Sequence, residues 1–262
     1  MRKLSTLVAA LGAALAMGSA HAITVAGVTW DPDSIFDFSS VDTMIESSVG
    51  TTPSIGDSFS GYALITTLNG TTQATFCASG CELTYVFSGY TITNIDAGTG
   101  ALTFDGGTIT VLVDSTPDFD SDLQSTAADG LVFLTLAGHE HIDQGTGLPG
   151  TLHSDPTPAS LGVAGDGRGF LDVTGGLAAA NFDTNTLPVL EPLGGVGFAD
   201  FQFTSSFQLI PGGCFTSDDG VEYCLFGGND LQGDSVAIPE PGTLLLFGIG
   251  LLGLGALRRR YA

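Results

Sequence analysis

Between residues 23 and 234 the apolar pattern is overwhelmingly of period two, and no stretch longer than a turn or two has helical spacing. That alternation commits the chain to strands with a buried face. In "ELTYVFSGYTITNI" the residues Leu83, Tyr85 and Phe87 share one face. After Ser88-Gly89 the apolar positions move to Tyr90 and Ile92, a one-residue phase shift that marks a β-bulge at the glycine. "ALTFDGGTITVLVD" behaves the same way: Leu102 and Phe104 precede Asp105-Gly106-Gly107, a turn or bulge, and Ile109, Val111 and Val113 come after it in the other phase. "FADFQFTSSFQLI" keeps Phe201, Phe203, Phe207 and Leu209 in phase, while "LVFLTL" (131–136) is continuously apolar and suits a central strand covered on both faces. "GGLAAANFDTNT" adds one helical turn near Leu177 to Ala180. The expected fold is an all-β, jelly-roll-like β-sandwich.

The segments flanking this domain are of another kind. Arg2 and Lys3 precede the apolar run Leu7 to Met17 and then Ala20-His21-Ala22, the basic, apolar and A-x-A parts of a removable signal peptide over residues 1–22, cleaved before Ile23. The sandwich is therefore expected to be secreted. At the other end, residues 235–241 form a linker holding Pro239, Glu240 and Pro241. Residues 242–257 are apolar and glycine-rich, and Arg258, Arg259 and Arg260 open a basic tail, 258–262. As a helix the apolar segment spans about 24 Å against a hydrocarbon core of ~30 Å, so it is a short transmembrane helix. The arginines place its end in the cytoplasm and the domain outside. Gly248 to Gly253 match G-x-G-x-x-G, but with no strand before it and no acid after it the dinucleotide reading fails.

The order of signal peptide, Pro-Glu-Pro, short glycine-rich span and arginine cluster resembles the PEP-CTERM sorting signal of Gram-negative bacteria, a tail also catalogued as an ice-binding protein C-terminal domain. The resemblance implies export by signal peptidase and the Sec machinery, a transient stay in the inner membrane with the domain in the periplasm, and cleavage by an exosortase near the Pro-Glu-Pro. It further implies delivery to the outer surface or matrix in strains that make exopolysaccharide; the hydrophobic segment then serves as an address, as in a GPI tail. Phe76 to Asp118 also look like the exported β-rich domain often found ahead of this tail, for which the resemblance implies no activity.

Charge narrows the partners. Arg168 is the lone basic side chain between residues 23 and 238, a span that holds every one of the 28 carboxylates except Glu240. Such a surface repels phosphate backbones, which excludes nucleic acid as a partner, and it attracts cations. Arg168 is expected to pair with Asp166 or Asp172. Cys77, Cys81, Cys214 and Cys224 form an even set in an exported chain and read as two disulfides, the local pairing 77–81 with 214–224 being the simplest of three connectivities.

Two clusters carry metal-binding chemistry. Asp118, Asp120, Asp122 and Asp129 occupy positions 1, 3, 5 and 12 of a calcium loop, although Leu123 stands where an EF-hand needs glycine. His139 and His141 alternate in "GHEHID", and with His153 they would supply three nitrogens to zinc. A solvated acidic connector and exposed histidines are the competing readings. No G-x-S-x-G elbow and no lysine occurs in the exported span, so no enzyme is expected. The leading expectation is a non-enzymatic surface or matrix protein associated with exopolysaccharide and without a cofactor, calcium aside. A calcium- or carbohydrate-binding module, with Trp30 and tyrosines as its aromatic platform, is second. A polysaccharide hydrolase is third.

Overall fold

The computed structural model describes residues 22–32, 36–47, 53–156 and 164–236. The signal segment up to residue 21, the Pro-Glu-Pro and the apolar segment 242–257 lie outside these residues. Among the described residues no helix is long and apolar enough to cross a membrane.

Short strands β1 (Ile23–Val25) and β2 (Val28–Trp30) form a hairpin. The long strands are β3 (Phe38–Ser47), β4 (Ser58–Leu68), β6 (Glu82–Ile95), β7 (Leu102–Asp114), β8 (Leu131–His139), β12 (Ala164–Gly175), β15 (Phe201–Leu209) and β17 (Glu222–Gly233). Between them lie β5 (Thr71–Thr72), β9 (His141–Ile142), β10 (Pro149–Gly150), β11 (Leu152–Pro156), β13 (Leu187–Leu190), β14 (Val196–Ala199) and β16 (Phe215–Thr216). Three single-turn helices complete the fold: α1 (Gln73–Phe76), α2 (Ser125–Ala128) and α3 (Ala179–Phe182). α3 lies where a helical turn was expected.

Each long strand pairs antiparallel with the next, and β17 returns to pair with β3. β8 pairs with β12, so the ladder has no gap. The domain is all-β as expected, but its pairing is that of one sheet closed on itself, an eight-stranded up-and-down barrel, rather than two sheets or the crossed connections of a jelly roll. An even strand number lets every neighbour be antiparallel, and eight strands give an interior that side chains can fill. One slot is shared: β8 and β11 both lie between β7 and β12, β11 against Leu102 to Phe104 and β8 against Thr108 to Val113.

The parity switches are real. Phe59 pairs with Tyr90 but Gly61 with Phe87, a bulge at Ser88-Gly89, and β7 runs unbroken through Gly106-Gly107. Gly89 (φ +80°), Gly106 (φ +77°) and Gly107 (φ +90°) face one another across the pair, so both strands change phase together. Leu83, Tyr85, Phe87, Tyr90 and Ile92 thus all reach the interior, opposite Val113, Val111, Ile109 and Phe104. β8 departs from expectation: Phe133, Leu134 and Leu136 are buried, but Leu131 and Val132 are exposed, at an end that still pairs with β7 but lies beyond the β12 ladder, which stops at Thr135.

One end of the barrel is plugged. Trp30 from β2 stacks against Phe182 of α3 at 5.0 Å, and Phe182 meets Phe38 and Phe201 at 5.6 and 5.7 Å. Both disulfides form with the local pairing expected, Cys77–Cys81 after α1 and Cys214–Cys224 at the start of β17. A second apolar cluster of Ile45, Tyr62, Ala127 and Tyr223 lies outside the wall, beneath the connection from β7 to β8.

A Cβ on Gly107 would lie 2.1 Å from the Tyr90 ring, whereas one on Gly56, also at positive φ, meets nothing within 4 Å. Gly107→Ala should therefore destabilise the barrel by roughly 2–4 kcal/mol through overpacking and backbone strain. Gly56→Ala should cost about 1 kcal/mol from strain alone. Urea unfolding of both variants checks the order.

Candidate functional site

The interior of the barrel is not uniformly apolar. β3 places Phe38, Ser40, Asp42, Met44 and Glu46 at alternate positions, all buried. The Asp42 carboxylate accepts the Asn229 amide N–H at 2.9 Å and the Ser40 hydroxyl at 3.4 Å. Asn229 Nδ2 donates to the Tyr85 hydroxyl at 2.8 Å, and Ser40 Oγ accepts the Leu231 N–H at 3.1 Å. β3, β6 and β17 are thereby joined across the interior by side chains as well as by their ladders.

Burial pushes the Asp42 carboxyl well above the usual carboxylate range, against the opposing pull of its hydrogen bonds from Asn229, Tyr85 and Ser40. Burial, and then the charges of Asp42 and Glu46, push Tyr85 well above its ordinary value. Glu46 has no such compensation, and burial alone raises it to about 8. A carboxyl in that state carries its proton at neutral pH and both donates and accepts. Glu46 Oε2, Asn229 Oδ1 and Ser154 Oγ find no hydrogen-bond partner among the described residues.

None of these interior groups was anticipated as a site. The signal was present in "FSSVDTMIES", where Ser40, Asp42 and Glu46 share the phase of Phe38 and Met44. Polar residues on a buried phase are a local conflict of the kind that functional sites carry.

The acidic loop does not gather as expected. Its carboxylates are dispersed by local bonding: Asp120 accepts the Asp122 N–H at 2.9 Å, the Asp118 N–H goes to Glu82, and Ser121 O takes the Tyr62 hydroxyl at 2.8 Å. Asp118 instead sits with Glu82 and Asp114, their oxygens within 4.8 Å of one another, while Asp120, Asp122 and Asp129 join no such group among the described residues. Glu82 is buried, which together with Asp118 and Asp114 raises its carboxyl, the amides of Asp118 and Phe119 opposing.

The histidines also separate. His139 Nδ1 lies 2.8 Å from Asp172 and its Nε2 3.3 Å from Glu191, so both ring nitrogens face carboxylates. His141 packs edge-on against His153 at 5.0 Å and Phe170 at 4.8 Å. Burial lowers both His141 and His153, keeping them neutral at neutral pH. The strand ends at His139 and a new one starts at His141, so the alternation that would align the two rings is broken. The three do not converge among the described residues.

Arg168 pairs with Asp143 at 2.8 Å and Asp155 at 3.2 Å, rather than with Asp166 or Asp172. Asp143 lies in the turn after β9 and Asp155 on β11, the strand paired with β12, so both reach Arg168 from neighbouring segments. Asp172 is engaged by His139. Among the described residues no aromatic platform of tryptophan or tyrosine is exposed: Trp30, Tyr62, Tyr85, Tyr90 and Tyr223 are all buried in the two apolar clusters.

After the disulfide-bonded all-β domain, whose last strand ends at Gly233, the sequence carries the Pro-Glu-Pro, an apolar segment and a cluster of arginines, the organisation of an exported protein with a sorting tail. Residues 237–260 match the PEP-CTERM protein-sorting motif, so the chain carries that sorting signal after its β domain. No curated protein and no solved structure matches it.

Because Glu46 titrates near 8 in the fold and near 4.5 as an ordinary glutamate, the fold holds its proton across that window. The associated stability is fully present below about 4.5 and is lost as pH rises through 8. Between pH 6.5 and 8.5, above the window in which His141 and His153 act, the protein should lose about 2 kcal/mol from Glu46. Asp42 adds in the same direction. Glu46→Gln should remove the Glu46 part of that slope in urea unfolding measured at the two pH values.

Proposed function

We propose that the chain is an exosortase substrate, cut near Pro239 to Pro241, whose barrel is released or displayed at the outer surface or in the extracellular matrix with exopolysaccharide. The observation that carries this reading is where the fold closes. Ser235 donates its N–H and its hydroxyl to Asp37 Oδ2, each at 2.7 Å, and Ser235 Oγ accepts the Trp30 indole N–H at 3.0 Å. Val236 N–H bonds to Asn181 O at 2.8 Å, and Asn181 Nδ2 returns to Val236 O at 3.2 Å. Val236 is tethered in this way and the sorting motif starts at 237, so a cut near the Pro-Glu-Pro leaves these tethers in place. The role proposed for the barrel is non-catalytic.

Intact mass measured on protein from the native host, comparing medium, outer membrane and inner membrane, should find a species from Ile23 to near Pro239. A single inner-membrane species retaining Arg258 to Arg260 would show a permanent anchor instead.

A second reading, a calcium-dependent module, is favoured by Glu82, Asp114 and Asp118 lying within 4.8 Å of one another. Calorimetry with millimolar calcium should then show uptake that Asp114→Asn weakens at least tenfold. Heat that is unchanged by the substitution assigns any uptake to surface carboxylates.

A further inference from the structure

The end of the barrel opposite the Trp30 plug is incompletely filled. Phe87, Tyr90, Phe104 and Phe203 are buried there, and Phe59 and Phe207 stand half-buried at the rim. They enclose a cavity of about 30 Å³ that also exposes Glu46 and Ser154. That is room for about two water-sized groups beneath an aromatic mouth. Phe59 lies 5.7 Å from Phe87 and 6.0 Å from Phe104, so the rim is a ring of aromatic surface continuous with the interior.

Two polar side chains on this cavity are buried and unsatisfied. Glu46 is 1% exposed and Ser154 6%, and neither Glu46 Oε2 nor Ser154 Oγ has a hydrogen-bond partner among the described residues. Buried polar atoms in a fold are ordinarily paired, and an unpaired one keeps its full desolvation cost. An aromatic cavity with a few convergent polar groups at the mouth of a barrel is the usual form of a small-molecule site.

We propose that this end of the barrel binds a small uncharged molecule with a hydroxyl head on an apolar body, the hydroxyl pairing with Glu46 and Ser154 and the body lying against Phe59, Phe104 and Phe207. A hydroxyl both donates and accepts, so it completes the site whichever Glu46 oxygen carries the proton. An anion is disfavoured. Arg168, the one cation between residues 23 and 238, is held by Asp143 and Asp155, and no basic group lines the cavity among the described residues. The enclosed volume admits the hydroxyl and its first carbons, and the rest of the body occupies the aromatic rim. The proposal is independent of how the tail is processed.

Saturation-transfer NMR on protein recovered from the host would compare benzyl alcohol, toluene and benzoate at neutral pH. Benzyl alcohol should bind saturably at one site, at least tenfold more tightly than benzoate and several-fold more tightly than toluene, because toluene leaves both polar atoms unpaired. Glu46→Gln should retain the preference for the alcohol, and Glu46→Leu should abolish it. Where Glu46→Leu fails to fold, Ser154→Ala, which keeps the shape of the wall, should reduce the preference at least threefold. Failure of benzyl alcohol to saturate, equal binding of toluene by the unmodified protein, or a preference unchanged in Glu46→Leu or in Ser154→Ala would each overturn the proposal.

Discussion

Everything in this fold depends on the pairing of β3 with β17, which joins the first long strand to the last. Seven of the eight long-strand pairings connect long strands adjacent in chain order and would form equally well in an open sheet. The eighth removes both edges, and with them the exposed amides through which an acidic exported domain would pair with a second copy. It is also the most demanding: Asp42 bonds to Asn229 across 187 residues, so most of the barrel must be ordered before the closure returns any hydrogen bonds. The buried side-chain network at the seam, where Ser40 and Asp42 on β3 meet Asn229 and the Leu231 amide on β17, fixes the register there, since a slip of one residue would turn these groups outward.

Closure also divides the interior. Apolar groups brought in from outside the sheet, Trp30 on β2 and Phe182 on α3, fill the end where the chain leaves toward its sorting tail. The polar groups of β3 and β17 occupy the middle, and at the far end the aromatic residues of β4, β6, β7 and β15 meet without filling the space. Asp37, Ser235 and Trp30 bind the tail-side end together, so the junction with the sorting motif is among the better tethered places in the molecule. These tethers hold the chain up to the residue before the sorting motif, so the plug does not depend on the segment that follows it.

Local chemistry was legible in the sequence and long-range pairing was not. The phase shifts at Gly89 and Gly107 were readable because a strand alternates with period two and a glycine is where it slips. The disulfides were readable because each joins cysteines close in sequence. Whether the strands make two sheets or one depends on which strand closes against which, and no local pattern records that β17 returns to β3. The expected metal ligands are not brought together among the described residues, for a related reason. Alternate residues share a face only within a continuous strand, and the strand breaks between His139 and His141; likewise the acidic loop folds around Asp120 and Tyr62 instead of around a common centre. Glu46 was overlooked because a lone polar residue in a strand reads as solvent-facing unless the phase of its neighbours is traced along the whole strand.

With a single arginine in its exported span, the domain cannot balance its carboxylates by ion pairs, and backbone amides take the place of the missing cations. Asp200 accepts the N–H groups of Val173, Thr184 and Asn185 at 2.6–2.7 Å, pinning the connection after α3 to the sheet. Asp96 takes the amides of Gly98 and Thr99 to close the β6–β7 turn, and its bonds to Thr99 and Gly98 hold its carboxyl below the usual range. Asp143 does the same for Thr146 while also meeting Arg168. Hydrogen bonds from several donors to one ionised acceptor are stronger than neutral ones, so amide donors stabilise these carboxylates, with an arginine added only at Asp143. Glu46, which lacks such donors, is instead buried and protonated. The acidic composition is thus a structural material in the loops and an uncharged hydrogen-bonding group in the barrel, and the shift between the two roles depends on whether a turn or a sheet surrounds the side chain.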